Sequence, residues 1–253
     1  MARAAFLSPA KIAVARAVAF ALPPRCPGCG IVVAGDHSFC LECWQSLDFL
    51  GGPACGACGV PMELAHHPES RCGACLADPP PFDSARAAVA YGPIARALAL
   101  KLKHGGRPGM AVTMARAMCR AVPMLDARTL VVPVPLHRRR LWSRGYNQSA
   151  LIARALARIA GGTLAIDLLC RRKPTPMLRG LNPMQRARTV AGAFAIAPAW
   201  KTPLKGRTIL LIDDVYTTGA TARACARVLR KGGASRIDVL CWARVVREEG
   251  AMR

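Results

Sequence analysis

Hydrophobic positions along this chain follow one regime up to residue 82 and another beyond it. The first regime is cysteine-, glycine- and proline-rich, and its one periodic stretch is alanine-rich, over residues 8–21. That stretch predicts a short amphipathic helix. In the second regime short apolar runs alternate with helical spacings. Residues 209–212, Ile-Leu-Leu-Ile, are too few and too unbroken for an amphipathic helix and predict a buried strand. Strands are likewise predicted over 85–91, 130–134, 164–170, 193–196 and 235–245. Helices are predicted over 93–103, 110–122, from the stretch 145–149 to 160, and over 222–230. Strands alternating with helices predict an α/β fold, an open and mainly parallel sheet whose ligand lies at the carboxyl edge of the strands. The run Asp78-Pro-Pro-Pro-Phe-Asp83 can continue neither helix nor ladder. It divides the chain into a small domain, 1–82, and a larger one, 83–253.

The predicted strand at 209–212 leads into two acids, Asp213 and Asp214, expected at its end. Thr217, Thr218, Gly219, Ala220 and Thr221 then form a small, hydroxyl-rich turn into the next helix. Unpaired N–H groups and the helix dipole favour an anion at such a point, Gly219 allows close backbone approach, and the threonines add donors. A nucleotide P-loop would carry a lysine here, and none lies between Asp213 and Thr221. Adjacent carboxylates before a phosphate turn suit a ligand with both a phosphate and vicinal hydroxyls, a ribose 5-phosphate.

Eight of the twelve cysteines form four Cys-x-x-Cys pairs: Cys26/Cys29, Cys40/Cys43, Cys55/Cys58 and Cys72/Cys75. Each spacing lets a tight turn aim two thiolates at one cation, and two turns complete a tetrahedral four-sulfur site for Zn2+. The repeated order favours sequential pairing, 26/29/40/43 and 55/58/72/75. A cross-braced set, 26/29 with 55/58 and 40/43 with 72/75, is the alternative. Four thiolates leave no open position for chemistry, so both sites are read as structural, and His37, His66 and His67 as loop residues. The remaining cysteines, 119, 170, 225 and 241, stand singly in apolar patterns and read as core fillers.

The charge of +22 belongs to the second domain: residues 1–82 hold 5 Lys/Arg and 6 Asp/Glu, and residues 83–253 hold 31 and 8. That domain is the one that seeks anions, either a phosphorylated small molecule or nucleic acid. After the run 132–136, whose two prolines end a strand, the residues 137–144 (His-Arg-Arg-Arg-Leu-Trp-Ser-Arg) read as a basic turn suited to a diphosphate. The basic stretch 171–188, broken by three prolines, reads as a long loop acting as a lid. Arg16 splits the only leader-like apolar run, and no run is long enough to span a membrane, so a cytoplasmic protein is expected.

Residues 209–221 resemble the type I phosphoribosyltransferase signature. Taken with residues 22–30, the four cysteine pairs, 100–103, 132–136 and Arg144-Gly-Tyr-Asn-Gln148, the chain resembles the competence protein F family over nearly its whole length. The resemblance extends to Thr175, Leu181, Arg186 and Ala193-Phe194, whereas Leu178 and Thr189 depart from it. It implies a double zinc ribbon before a phosphoribosyltransferase domain that binds phosphoribosyl pyrophosphate with Mg2+. Asp213 and Asp214 would take the ribose hydroxyls and residues 217–221 the 5-phosphate. Pro135, Leu136, His137 and Arg144 would take the pyrophosphate, with Arg171, Arg172 and Lys173 closing over it. The resemblance also implies a role in natural transformation, with single-stranded DNA and a competence helicase as partners. Phosphoribosyl transfer to an unidentified acceptor, or a non-catalytic adaptor role for the ribbons, are the alternatives.

Overall fold

The computed structural model describes residues 22–63, 67, 69–174 and 182–246. The helix expected over 8–21 lies outside them, as do His66, Thr175, Leu178 and Leu181. The chain forms two compact units, residues 1–46 and 47–253.

In the first unit, Arg25 and Val32 bridge a knuckle whose Cys26 N–H reaches Ile31 O at 2.8 Å. Cys40 then caps the short helix α1 (Leu41–Gln45). In the second unit a similar knuckle is bridged by Ala54 and Pro61, and α2 (Gly73–Ala77) carries Cys75.

The rest of the second unit is an α/β sheet built in chain order. β1 (Ser84–Ala90) is followed by α3 (Pro93–His104) and α4 (Met110–Met118), then by β2 (Leu125–Pro133). α5 (Arg138–Arg144) and α6 (Gln148–Ala160) lead to β3 (Gly161–Leu164). β4 (Leu169–Arg171), α7 (Pro183–Val190) and β5 (Phe194–Ile196) follow. β6 (Thr208–Tyr216), α8 (Ala220–Lys231) and β7 (Arg236–Arg244) complete the described fold.

Five strands pair in the order β1-β7-β6-β2-β3, every pair parallel. The open parallel sheet is therefore as expected. β2 feeds β3 on one side and β6 feeds β7 on the other, so successive connections part between β2 and β6. That reversal opens a crevice at the carboxyl ends of the two strands, where a parallel α/β sheet receives its ligands. Alternate residues of the strands face α8: Leu130, Val132, Ile209, Leu211, Ile237, Val239 and Cys241 form one core with Cys225 and Leu229. In α3, Ala95, Leu98, Ala99 and Leu102 bury one stripe, and Pro93 suits the first turn because its missing N–H would be unpaired there anyway. The indole of the fully buried Trp242 donates to Ala95 O at 3.0 Å, fixing α3 against β7.

Several sequence expectations change, four of them as follows. The helix over 110–122 ends at Met118, and residues 119–121 tighten into a 3-10 turn. The strand over 164–170 is two strands in different sheets, because the chain turns at 165–168 and β4 pairs antiparallel with β5. The basic turn at 137–144 is helical from Arg138, with His137 accepting from Arg139 N–H at its start. The long loop over 171–188 contains α7, opened by a reciprocal cap in which Asn182 and Gln185 each accept the other's backbone N–H.

Candidate functional site

The crevice begins at the end of β6. This strand runs through both acids to Tyr216 and does not stop before them as expected. Gly219 then turns the chain at φ 73°, a left-handed conformation, and stands at the N-terminus of α8. A Cβ there would lie 2.3 Å from Tyr216 Oη, so glycine is required by both backbone and packing. The turn lines a small pocket with Asp213 and Arg186. Within it Thr218 Oγ1 is buried and has no hydrogen-bond partner among the described residues. Arg186 of α7 donates to Thr217 Oγ1 at 3.0 Å, bringing α7 over the turn.

The two acids have different partners. Asp213 Oδ1 accepts from Ser149 Oγ at 3.2 Å and from Asp214 N–H at 2.9 Å. Asp214 is buried and forms an ion pair with Lys103 Nζ. Burial, reinforced by the neighbouring Asp214, raises Asp213 from the ordinary 3.8 to about 7, against the pull of Lys103. Burial works against the Lys103 charge, yet Asp214 and Asp213 outweigh it and raise the ammonium, which stays protonated.

Opposite these acids, Val134 N–H donates to Ile212 O at 2.9 Å, so the β2–β6 pairing carries the turn 134–137 up beside Asp213. Pro135 and His137 are buried and Leu136 half-buried. His137 titrates below its usual range, through burial and then the surrounding Arg138, Arg139, Arg171 and Arg140. The string at 144–148 locks this turn residue by residue. Arg144 Nη1 donates to Gln148 Oε1 at 2.5 Å, and Gly145 ends α5 in the left-handed conformation. Tyr146 Oη donates to Leu102 O at 2.6 Å. Asn147 caps α6 through Ser149 N–H while its amide reaches Val134 O at 3.0 Å. Lys103, His104, Ser143 and Arg144 line a pocket beside this string.

Arg171 packs over the Phe194 ring at 5.3 Å and feels the Asp213 charge, whereas Arg172 and Lys173 are exposed. The sequence reading missed Lys103, whose cation at a helix end is expected on dipole grounds alone, and Ser149. The string 144–148 singled out the neighbourhood of Ser149 without revealing its partner. Of the four single cysteines, Cys225 and Cys241 are fully buried, and burial raises both thiols well above the ordinary value.

The eight paired cysteines form two clusters, 26/29/40/43 and 55/58/72/75, with all sulfurs of a cluster within 4.8 Å of one another. The pairing is sequential. Cys29 and Cys40 Sγ are 3.7 Å apart, as are Cys58 and Cys72 Sγ, close to the ~3.8 Å edge of a tetrahedron with ~2.3 Å Zn–S bonds. Backbone N–H groups point at the sulfurs: Cys40 N to Cys26, Cys43 N to Cys40, and Cys58 N and Cys72 N both to Cys55. Burial opposes ionisation of Cys55, but these N–H donors outweigh it and lower its thiol to about 6; Cys26 behaves alike. Four convergent sulfurs with donors behind them fit a structural Zn2+.

Comparison with known proteins agrees with this anatomy. Residues 17–76 match the model of the double zinc ribbon domain. The chain is 33% identical to the DNA utilization protein YhgH of Salmonella typhi, over 89% of this chain and 99% of that protein. It is 31% identical to competence protein F of Haemophilus influenzae, over 87% and 96%. Among solved structures, glutamine phosphoribosylpyrophosphate amidotransferase from B. subtilis superposes with a TM-score of 0.37 at 15% identity, over 56% of this chain and 30% of that one. Two sequential four-cysteine clusters, the parallel sheet and this identity across nearly the whole length lead to one conclusion: the chain belongs to the competence protein F family.

Proposed function

We propose that the crevice between β2 and β6 binds phosphoribosyl pyrophosphate together with its Mg2+. The observation that carries this reading is the buried, unpartnered Thr218 hydroxyl, on a helix-opening turn that also lies beside Asp213. An orphaned buried donor costs about 1–3 kcal/mol, and a phosphate oxygen seated on the turn would relieve that cost. Asp213 would accept from the ribose hydroxyls, and the turn 134–137 with Arg144 would face the pyrophosphate. Arg171 would add charge from the opposite side, and Lys103 would stand between Asp214 and the diphosphate. Transfer to an acceptor would displace pyrophosphate at the anomeric carbon, with the carboxylates stabilising the cationic sugar.

Calorimetric titration of phosphoribosyl pyrophosphate with Mg2+ tests this reading. Saturable binding by the wild type, lost in Asp213→Asn/Asp214→Asn, is expected, and pyrophosphate release would then be screened against acceptors. A wild type that takes up no ligand would reduce the signature to a scaffold.

A second reading, single-stranded DNA handling in competence, rests on α5. Trp142 is 91% exposed on a seven-residue helix that carries four arginines. An exposed indole among guanidiniums suits a stacked base between phosphates. Relatives named for DNA utilization and competence support this reading. The two readings are compatible, with the sugar-phosphate pocket regulating a DNA-handling surface beside it.

A further inference from the structure

The second cysteine cluster is joined to the phosphate turn by a continuous set of contacts that neither a structural zinc site nor a ligand pocket requires. Arg244, at the end of β7, is buried, and its Nη1 donates to the carbonyl of the cluster cysteine Cys58. Its guanidinium lies 4.8 Å over the Tyr216 ring. Tyr216 in turn is the floor of the turn, since its hydroxyl fills the space where a side chain at Gly219 would go. A second connection runs in parallel. Arg223, in the first turns of α8, donates to Asp78 O at 2.8 Å and pairs with the Asp78 carboxylate at 3.1 Å, three residues beyond Cys75. The cluster is also fastened to the sheet. Arg86 of β1 reaches Cys55 O at 3.4 Å and Gly56 O at 3.3 Å, and Ala85 N–H donates to Ala57 O at 2.7 Å.

We propose that Arg244 is a positioning residue through which metal in the 55/58/72/75 cluster sets the conformation of the phosphate turn. A knuckle of this size holds its shape only while the metal holds its thiolates. With the metal bound, Cys58 O is fixed as the acceptor for a buried guanidinium. Arg244 Nε already has no hydrogen-bond partner among the described residues, so when the cluster opens and Nη1 loses Cys58 O, the guanidinium turns towards another acceptor or water rather than bear a second unpaired buried donor. Tyr216 then loses the cation stacked on its face, and Gly219 loses its floor. Thiol oxidation and metal withdrawal would therefore both act on a turn to which no metal is bound. The link between cluster and turn stands on these contacts alone; its effect on ligand affinity rests on the phosphoribosyl pyrophosphate reading above.

Hydrogen–deuterium exchange on the zinc-loaded 253-residue chain without ligand separates the two. In Arg244→Met the stem is filled but the donor is gone. Two zinc equivalents should be retained while amides of residues 217–221 exchange about tenfold faster than in wild type, a typical size for coupling between sites. Arg244→Lys, which keeps a donor and a cation, should restore protection to within about threefold, on the same scale. Cys72→Ser, retaining one zinc equivalent, should loosen the same segment. Unchanged protection of 217–221 in Arg244→Met would overturn the proposal. So would loosening confined to residues 55–75 in Cys72→Ser. Phosphoribosyl pyrophosphate with Mg2+ is then titrated into the same samples, and weaker binding by Arg244→Met than by Arg244→Lys is expected. A wild type that binds no ligand while its exchange follows the metal would remove the ligand reading and leave the coupling standing.

Discussion

At Gly219 a single missing side chain sustains two geometries at once, the left-handed turn and the contact with Tyr216. Gly219→Ala should therefore cost more than the ~1–2 kcal/mol of a left-handed alanine. Urea denaturation should show a lower midpoint with an unchanged slope. Asp213 gives a pH-dependent counterpart. Its carboxyl is raised from 3.8 to about 7, so between roughly pH 4 and 7 the folded state holds a proton that the unfolded state has released. Stability from this group consequently falls as pH rises through that window, and the loss is complete above about 7. Asp213→Asn should raise Tm at pH 8, by about 2–4 °C for each kcal/mol relieved, and leave it unchanged near pH 3. Ligand affinity should move the other way in the wild type, strengthening as Asp213 ionises through pH 7. The acids and the turn were legible because they are contiguous. Lys103 was not, since its ion pair with Asp214 joins remote segments and a lysine at a helix end needs no special reason.

At the scale of elements, the crevice is assembled by the start of α6. Asn147 both caps the helix and holds Val134 O, so Asn147→Ala removes a cap worth about 1 kcal/mol and leaves a carbonyl short of its donor. A loss of roughly 2 kcal/mol in chemical denaturation is expected, with faster exchange at 134–137 and little change at 236–244. Strand and helix identities were largely readable from the apolar runs. Of the boundaries that were not, two share one reason. Charge argues for a strand end before Asp213 and against a helix over 138–144, whereas Lys103 and Ser149 accommodate the acids and His137 and Gly145 bound the arginine-rich helix.

Across the whole molecule, composition predicts its responses. Two four-cysteine clusters should yield two equivalents of Zn2+ to a chromogenic chelator once the thiols are blocked, with loss of structure around both clusters. The strongly positive residues 83–253 should give single-stranded DNA binding a steep salt dependence, and reversing Arg138, Arg139 and Arg140 to glutamate should weaken binding and flatten that slope. An affinity unmoved by the reversal would count against the single-stranded DNA reading. The repeated order of the cysteine pairs already favoured the sequential clusters, which the structure bears out, whereas the sheet order needed coordinates, because a periodic pattern states which segments are strands and not which strands are neighbours.

That order has a consequence for synthesis. Ser84, in the edge strand β1, pairs with Asp238 of β7. At 5–20 residues per second, on the order of 8–30 s passes on the ribosome before its partner emerges. One flank of β1 meets the earlier segment 48–50, through Leu50 N–H to Ala88 O and Ala90 N–H to Asp48 O. The other flank waits for nearly all the remaining sheet to be translated. The nascent chain therefore carries an unsatisfied strand edge until β7 emerges, and any chaperone that shields it acts before the turn 217–221 and Arg244 can come together.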